Sequence, residues 1–85
     1  MYYVYMLRLS DNSIYTGFTS DLEGRIKAHK SGRGSKYVKG RLPLKLVYVE
    51  KHKSRSEVMH RENQIKKWSK EKKEKLIQNQ KPLKP

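Results

Sequence analysis

The chain has 85 residues and no cysteine, and its 21 lysines and arginines against 8 acids leave a net charge of +13. A chain of this length buries roughly 60–65% of the surface its unfolded form exposes, so it builds one modest core and excludes a second catalytic domain. Without cysteine there is neither a disulfide framework nor a thiolate zinc site, and the charge excess selects a polyanionic partner, nucleic acid first. Residues 2–9 are rich in Tyr, Val, Met and Leu, and residues 14–18 follow the polar turn Ser10-Asp11-Asn12-Ser13. This pattern predicts an antiparallel hairpin that brings the phenols of Tyr5 and Tyr15 onto adjacent strands. Ser20-Asp21-Leu22-Glu23 has the form of a capping box with Ser20 at the cap, and Leu22, Ile26 and His29 then recur at helical spacing as far as Gly32. Gly24 inside that helix is expected to cost about 0.5–1 kcal/mol relative to alanine and to loosen the segment that carries Arg25.

Residues 31–43 read as a loop, because glycine breaks regular structure there, and Arg33, Lys36, Lys39 and Arg41 gather in it with no acid among them. Residues 44–50, centred on Leu46-Val47-Tyr48-Val49, supply a third strand. Ser54-Arg55-Ser56-Glu57 is a second capping box, opening a helix that should run to about Trp68, and Ser69 caps a third, highly charged helix that turns Leu76 and Ile77 inward. The expected fold is α+β, a three-stranded antiparallel sheet flanked by helices in the order ββαβαα. It forms one domain over residues 1–79, followed by a frayed tail over residues 80–85 marked by Pro82 and Pro85. No apolar run approaches the roughly 18 residues of a membrane helix, and residues 1–7 lack the basic and small-residue pattern of a signal peptide. A soluble cytoplasmic protein with no membrane partner is expected.

Glu62 is the anomalous residue. On a helix whose apolar stripe is Val58, Met59, Ile65 and Trp68, a step of 100° per residue puts Glu62 near the middle of that stripe. An ionised carboxylate buried without a partner costs several kcal/mol, so Glu62 requires a cation, a metal, a hydrogen-bond network or a proton. One solution is a structural ion pair with Arg25 or Arg61. The other is a hard, oxygen-ligated Mg²⁺ or Mn²⁺ held by a single carboxylate plus waters and a substrate phosphate. Arg25 and His29 lie four apart and project from one side of the first helix. Arg25 can grip a phosphate with its planar fork or snorkel at the surface, and His29, taken alone, is as readily a packing or capping residue as an acid or base. His52 and His60 have no spacing that suggests a metal cluster. Tyr2, Tyr3 and Tyr48 are read as packing residues. In the basic loop, Arg33, Lys36, Lys39 and Arg41 can track a phosphate backbone and Tyr37 can stack on an exposed base or simply pack. The lysines of the last helix, interrupted by Glu71 and Glu74, read as an ordinary solvated face. Nothing in the chain reads base edges, so selectivity would come from nucleic-acid structure or from a partner.

Taken in order, these residues resemble a GIY-YIG endonuclease domain of the small standalone branch, over almost the whole chain. Tyr3-Val4-Tyr5 stands where the family has Gly-Ile-Tyr, and Tyr15-Thr16-Gly17 where it has Tyr-Ile-Gly. Arg25 is the helix arginine, His29 follows one turn later, and Glu62 lies in Arg61-Glu62-Asn63-Gln64-Ile65-Lys66. Tyr3 replaces the first motif glycine, and Phe18 stands where some relatives carry a polar or basic residue. The resemblance implies that Glu62 binds one divalent ion, that Tyr5 is the base for the attacking water and that Tyr15 orients or activates that water. It further implies that Arg25 binds the scissile phosphate and that His29 assists at the phosphate or nucleophile, while Gly17 permits close approach of backbone. The function expected is a metal-dependent DNA endonuclease, possible on RNA as well, selecting branched, flapped or damaged DNA in repair or recombination. The alternatives are a catalytically silent nucleic-acid-binding module, with Glu62 paired to Arg25, and a protein-interaction domain that uses its basic face for an acidic partner.

Overall fold

In the computed structural model, which describes residues 1–80, the first strand, β1 (Tyr2–Arg8), is covered on both faces. Alternation explains how. Val4 and Met6 point to one side and Tyr5 and Leu7 to the other, and all four are fully buried. Both edges of β1 are paired as well. β2 (Ile14–Thr19) runs antiparallel to it with Tyr5 opposite Gly17 and Leu7 opposite Tyr15, and β3 (Lys45–His52) runs antiparallel on the other side. The sheet order is β2-β1-β3, with a register shift between Met6 and Leu7. The β1–β2 turn forms as its residues dictate. Asp11 Oδ1 accepts from Ser13 N at 3.0 Å and from Ser13 Oγ at 2.6 Å, and Asn12 takes the left-handed conformation at φ 69°.

The helices are α1 (Leu22–Lys30), α2 (Lys36–Lys39), α3 (Arg55–Lys66) and α4 (Lys70–Gln78). Helices α3 and α4 close one face of the sheet, where Val4, Met6, Tyr48, Val58 and Ile65 form a core flanked by Trp68, Leu76 and Ile77. Helices α1 and α2 close the other, where Tyr5, Leu7, Leu9 and Val38 pack with Leu22, Ile26 and Tyr15. Each face is thus a thin apolar layer backed by the same central strand. Among the described residues, no helix is long and apolar enough to cross a membrane.

The expected α+β fold and its ββαβαα order hold for the longer elements, and the loop over residues 31–43 contains the one-turn helix α2 in addition. The first cap differs from the expectation. Asp21, not Ser20, is the N-cap of α1, and its Oδ1 accepts from Gly24 N at 3.1 Å. That changes the meaning of Gly24, because a Cβ there would run into the capping carboxylate, with Asp21 Cγ only 2.9 Å away. The glycine admits the cap. Ser54 and Ser69 cap α3 and α4 as expected, accepting from Glu57 N at 3.1 Å and Lys72 N at 3.2 Å. α3 stops at Lys66, short of Trp68, and its inward line is Val58, Glu62 and Ile65, while Met59 is 39% exposed and belongs to no core. Within the tail expected over residues 80–85, the Gln80 side chain donates to Val49 O at 2.6 Å. The remainder of that tail lies outside the described residues.

Candidate active site

The site begins with the pairing of β1 and β2. Because Tyr5 faces Gly17, Tyr15 is its diagonal neighbour on the same side of the sheet, and their ring centroids lie 6.4 Å apart. Gly17 is what gives Tyr5 its position. A Cβ there would stand 2.6 Å from the Tyr5 hydroxyl oxygen and 2.7 Å from Cζ. Helix α1 then delivers His29 to the same spot. Its Nε2 lies 2.8 Å from Tyr5 Oη, and its ring meets Tyr5 and Tyr15 edge-on at 5.7 and 5.3 Å. His29 is fully buried, and burial first, then the nearby Arg25 charge, pushes its pKa down, so the imidazole rests neutral.

Arg25, one turn earlier, is half-buried. Its Nη2 donates to Gly34 O at 3.3 Å, and its Nε has no hydrogen-bond partner among the described residues. The neighbouring Tyr5 phenol first, with Tyr15, holds the Arg25 guanidinium more firmly protonated. Burial pushes the Tyr5 phenol up, and the Arg25 charge opposes this without overcoming it. Tyr5 therefore rests protonated and fully covered, whereas Tyr15 is half-buried and keeps some contact with solvent. Tyr5, Tyr15, Arg25 and His29 form one connected cluster.

Glu62 arrives from the other face. Helix α3 packs on β1 and β2, and Glu62 is 8% exposed, with its charge felt at Tyr5. Neither ion pair anticipated for it forms. Arg25 Nη2 donates to Gly34 O, and Arg61 Nε donates to Glu50 Oε1 at 2.8 Å. Glu62 pairs with Lys66 Nζ at 3.3 Å, one turn along the helix, and the Lys66 side chain is 51% exposed and can swing into solvent. Among the described residues, no group of three His, Asp or Glu side chains is placed to hold a metal ion. The donor set is one nearly buried carboxylate, which fits a hard ion that keeps several waters and takes further ligands from a phosphate.

The basic segment borders this cluster. Tyr37 stacks against Tyr15 at 6.4 Å and 25°, and the Arg41 guanidinium lies 3.7 Å from the Tyr37 ring centre. Arg41 is held there by Asp11 Oδ2 at 3.1 Å and by Tyr37 O at 3.0 Å. Arg33 reaches only Ser31 Oγ, and Lys36 and Lys39 are exposed, so these three present charge to solvent while Tyr37 and Arg41 form a wall. Sequence reasoning missed Gly34 and Asp11. The first was visible only as a helix breaker, and the second only as a turn residue. It also missed Glu50, which accepts from Tyr48 Oη at 2.5 Å, Arg61 Nε at 2.8 Å and the His52 ring at 2.6 Å on the α3 face.

This sheet, with two strand tyrosines, a helix arginine and histidine, and a buried carboxylate from α3, has the architecture and motif order of a small nuclease domain. The family model described as the GIY-YIG catalytic domain matches residues 1–75, and the chain belongs to that family. Among its relatives, a UPF0213 protein of Clostridium perfringens is 51% identical over 91% of this chain and 83% of its own length. Another, of Staphylococcus haemolyticus, is 48% identical over 91% and 94%. The solution NMR structure of a UPF0213 protein from Bacillus halodurans superposes with a TM-score of 0.60 at 46% identity, covering 92% of this chain and 84% of that one.

Proposed function

We propose that the protein is a divalent-metal-dependent endonuclease that hydrolyses DNA phosphodiester bonds, selecting branched, flapped or damaged DNA in repair or recombination. The observation that carries this reading is the convergence of a neutral imidazole, a guanidinium with an unpartnered Nε and two phenols at one place, within electrostatic reach of a nearly buried carboxylate. Structural selectivity is supported by the basic segment, which offers phosphate contacts from Arg33, Lys36 and Lys39 and no element that reads base edges.

Arg25 binds the scissile phosphate, its Nε supplying a hydrogen bond that the fold leaves unmade, and stabilises the charge that accumulates on phosphorus-bound oxygen. Glu62 holds one Mg²⁺ or Mn²⁺, which when bound supplies Lewis-acid stabilisation of the phosphate and a more acidic water. Lys66 releases Glu62 for this by turning to solvent. The attacking water oxygen bonds to phosphorus as the bond to the leaving oxygen breaks, the water passing one proton through the Tyr15 hydroxyl, which hands its own to solvent, and the leaving oxygen taking a proton from a solvent water. Tyr5 is the base that the resemblance implies, but its hydroxyl is enclosed between Gly17 and His29, so the partly exposed Tyr15 is assigned as the phenol that meets the water. Tyr5 and His29 stand behind it as a hydrogen-bonded pair that fixes the proton arrangement of the cluster.

A silent binding module would keep the Lys66–Glu62 pair and leave the cluster as packing. The deciding experiment compares cleavage of labelled single-stranded, duplex, flap and branched DNA in Mg²⁺, Mn²⁺ or EDTA, using folded wild type and Glu62→Ala. Metal-dependent cleavage that vanishes in Glu62→Ala while DNA binding persists is the expected result. Binding without cleavage on every substrate, indifferent to metal, would give the silent module instead.

A further inference from the structure

His29 is fully buried, so neither ring nitrogen reaches bulk water. Nε2 has Tyr5 Oη at 2.8 Å, but Nδ1 has no hydrogen-bond partner among the described residues. What stands against Nδ1 is Gly34. A Cβ at that residue would fall on Nδ1, with ring atoms Cε1 and Cγ 2.8 Å away, so the neighbour of Nδ1 is a bare methylene. A neutral imidazole carries its hydrogen on one nitrogen only. An N–H aimed at a methylene is a buried donor left unmade, whereas a bare lone pair in the same place loses less and gains a weak C–H contact. We propose that Gly34 is a positioning residue of the site: its bare Cα holds His29 as the tautomer with hydrogen on Nε2, so that Tyr5 Oη accepts from the imidazole.

The consequence concerns Tyr5. Its oxygen takes a hydrogen bond from His29, and the nearby Arg25 can only donate. The Tyr5 hydroxyl proton is therefore left for an acceptor within the enclosed cluster, where the neighbouring Tyr15 is the candidate. The groups around His29 are Tyr5, Tyr15 and Arg25, and both burial and the Arg25 charge keep the ring neutral, so the choice at neutral pH lies between the two tautomers alone. Gly34 also accepts from Arg25 Nη2 through its carbonyl, so one residue places both α1 side chains. The effect on cleavage rests on the nuclease reading, but the tautomer itself does not.

Long-range ¹H–¹⁵N NMR of the imidazole tests this on wild type, Gly34→Ala and Gly40→Ala. Gly40 is the control from the same segment, because the nearest neighbour of a Cβ there is Lys36 O at an ordinary 3.7 Å. Wild type is expected to show His29 protonated on Nε2 alone, Gly40→Ala to match it, and Gly34→Ala to shift the ring resonances and mix the tautomers. Hydrogen on Nδ1 in wild type overturns the proposal, and so does a Gly34→Ala spectrum indistinguishable from wild type. Should Gly34→Ala fail to fold, the wild-type tautomer alone decides. In an active enzyme, Gly34→Ala is expected to lower kcat roughly 10²-fold with KM nearly unchanged. A protein that has the Nε2 tautomer yet cleaves nothing refutes the nuclease reading and leaves this inference standing.

Discussion

Gly17 and Tyr5 face one another across the β1–β2 pair, and the missing side chain of one makes the space that the phenol of the other fills. The motif glycine is thus a steric partner of the motif tyrosine rather than a hinge, and no positive φ is required of it. A methyl group at position 17 must displace the Tyr5 ring, which is fully buried and fastened to His29. Overpacking of this kind typically costs about 1–3 kcal/mol. Gly17→Ala is therefore expected to lower the urea midpoint by that equivalent and to alter the Tyr5 and His29 NMR signals together. An unchanged midpoint with unmoved His29 signals would show that the ring has spare room.

Helix α1 illustrates what a linear reading reaches and what it does not. Apolar spacing located the helix and put Arg25 and His29 on one side of it, because a period of 3.6 residues is a local property. The same argument found Glu62 on the inward line of α3, between Val58 and Ile65. Its partner was not legible, because the choice among Arg25, Arg61 and Lys66 depends on where β3 places Glu50, which captures Arg61. Helix α2 was illegible for another reason: its four residues, flanked by Ser35 and Gly40, give no period to detect. The role of Gly34 was hidden because a glycine's neighbours in space leave no mark in its own sequence. The shift of the α1 cap from Ser20 to Asp21 has an energetic corollary. Replacing Gly24 by alanine gains about 0.5–1 kcal/mol of helix propensity but drives the Asp21 carboxylate off the Gly24 amide, a cap worth about 1 kcal/mol. Gly24→Ala is thus expected to leave thermal stability within about 0.5 kcal/mol of wild type, where propensity alone would give a clear gain. A stabilisation of a full kcal/mol would show that the cap contributes little.

At the scale of the molecule, the central strand separates two layers, the Tyr5 face holding the phenols, imidazole and guanidinium of the candidate site, and the α3 face supplying Glu62 and tying the sheet to its helices. The tie is Glu50, which gathers Tyr48, His52 and Arg61, with Glu50 and Arg61 side chains only 19% and 28% exposed. Burial alone would raise the Glu50 carboxyl, but hydrogen bonds from Arg61, Tyr48 and His52 together hold it below the ordinary glutamate range. Its folded pKa being lower than its unfolded one, Glu50 adds stability that is fully present above about pH 4.3 and is lost as pH falls through the folded value. Tyr48 works at the opposite end. Burial first, then Glu50, pushes its phenol up to about 12, so its contribution is present below the unfolded value near 10 and is lost as pH rises toward the folded one. The urea midpoint of wild type should therefore fall on both sides of a neutral plateau, through the same cluster. Glu50→Gln is expected to lower the plateau by about 1–3 kcal/mol, the cost of unmaking buried charged hydrogen bonds, and to flatten the acid limb. Tyr48→Phe should flatten part of the alkaline limb, the remainder belonging to Tyr5, whose phenol is also pushed up by burial on the other face. If the acid limb of Glu50→Gln matched that of wild type, the pH dependence would reside in other carboxylates, such as Glu74 paired with Arg8, rather than in the joint between sheet and helix.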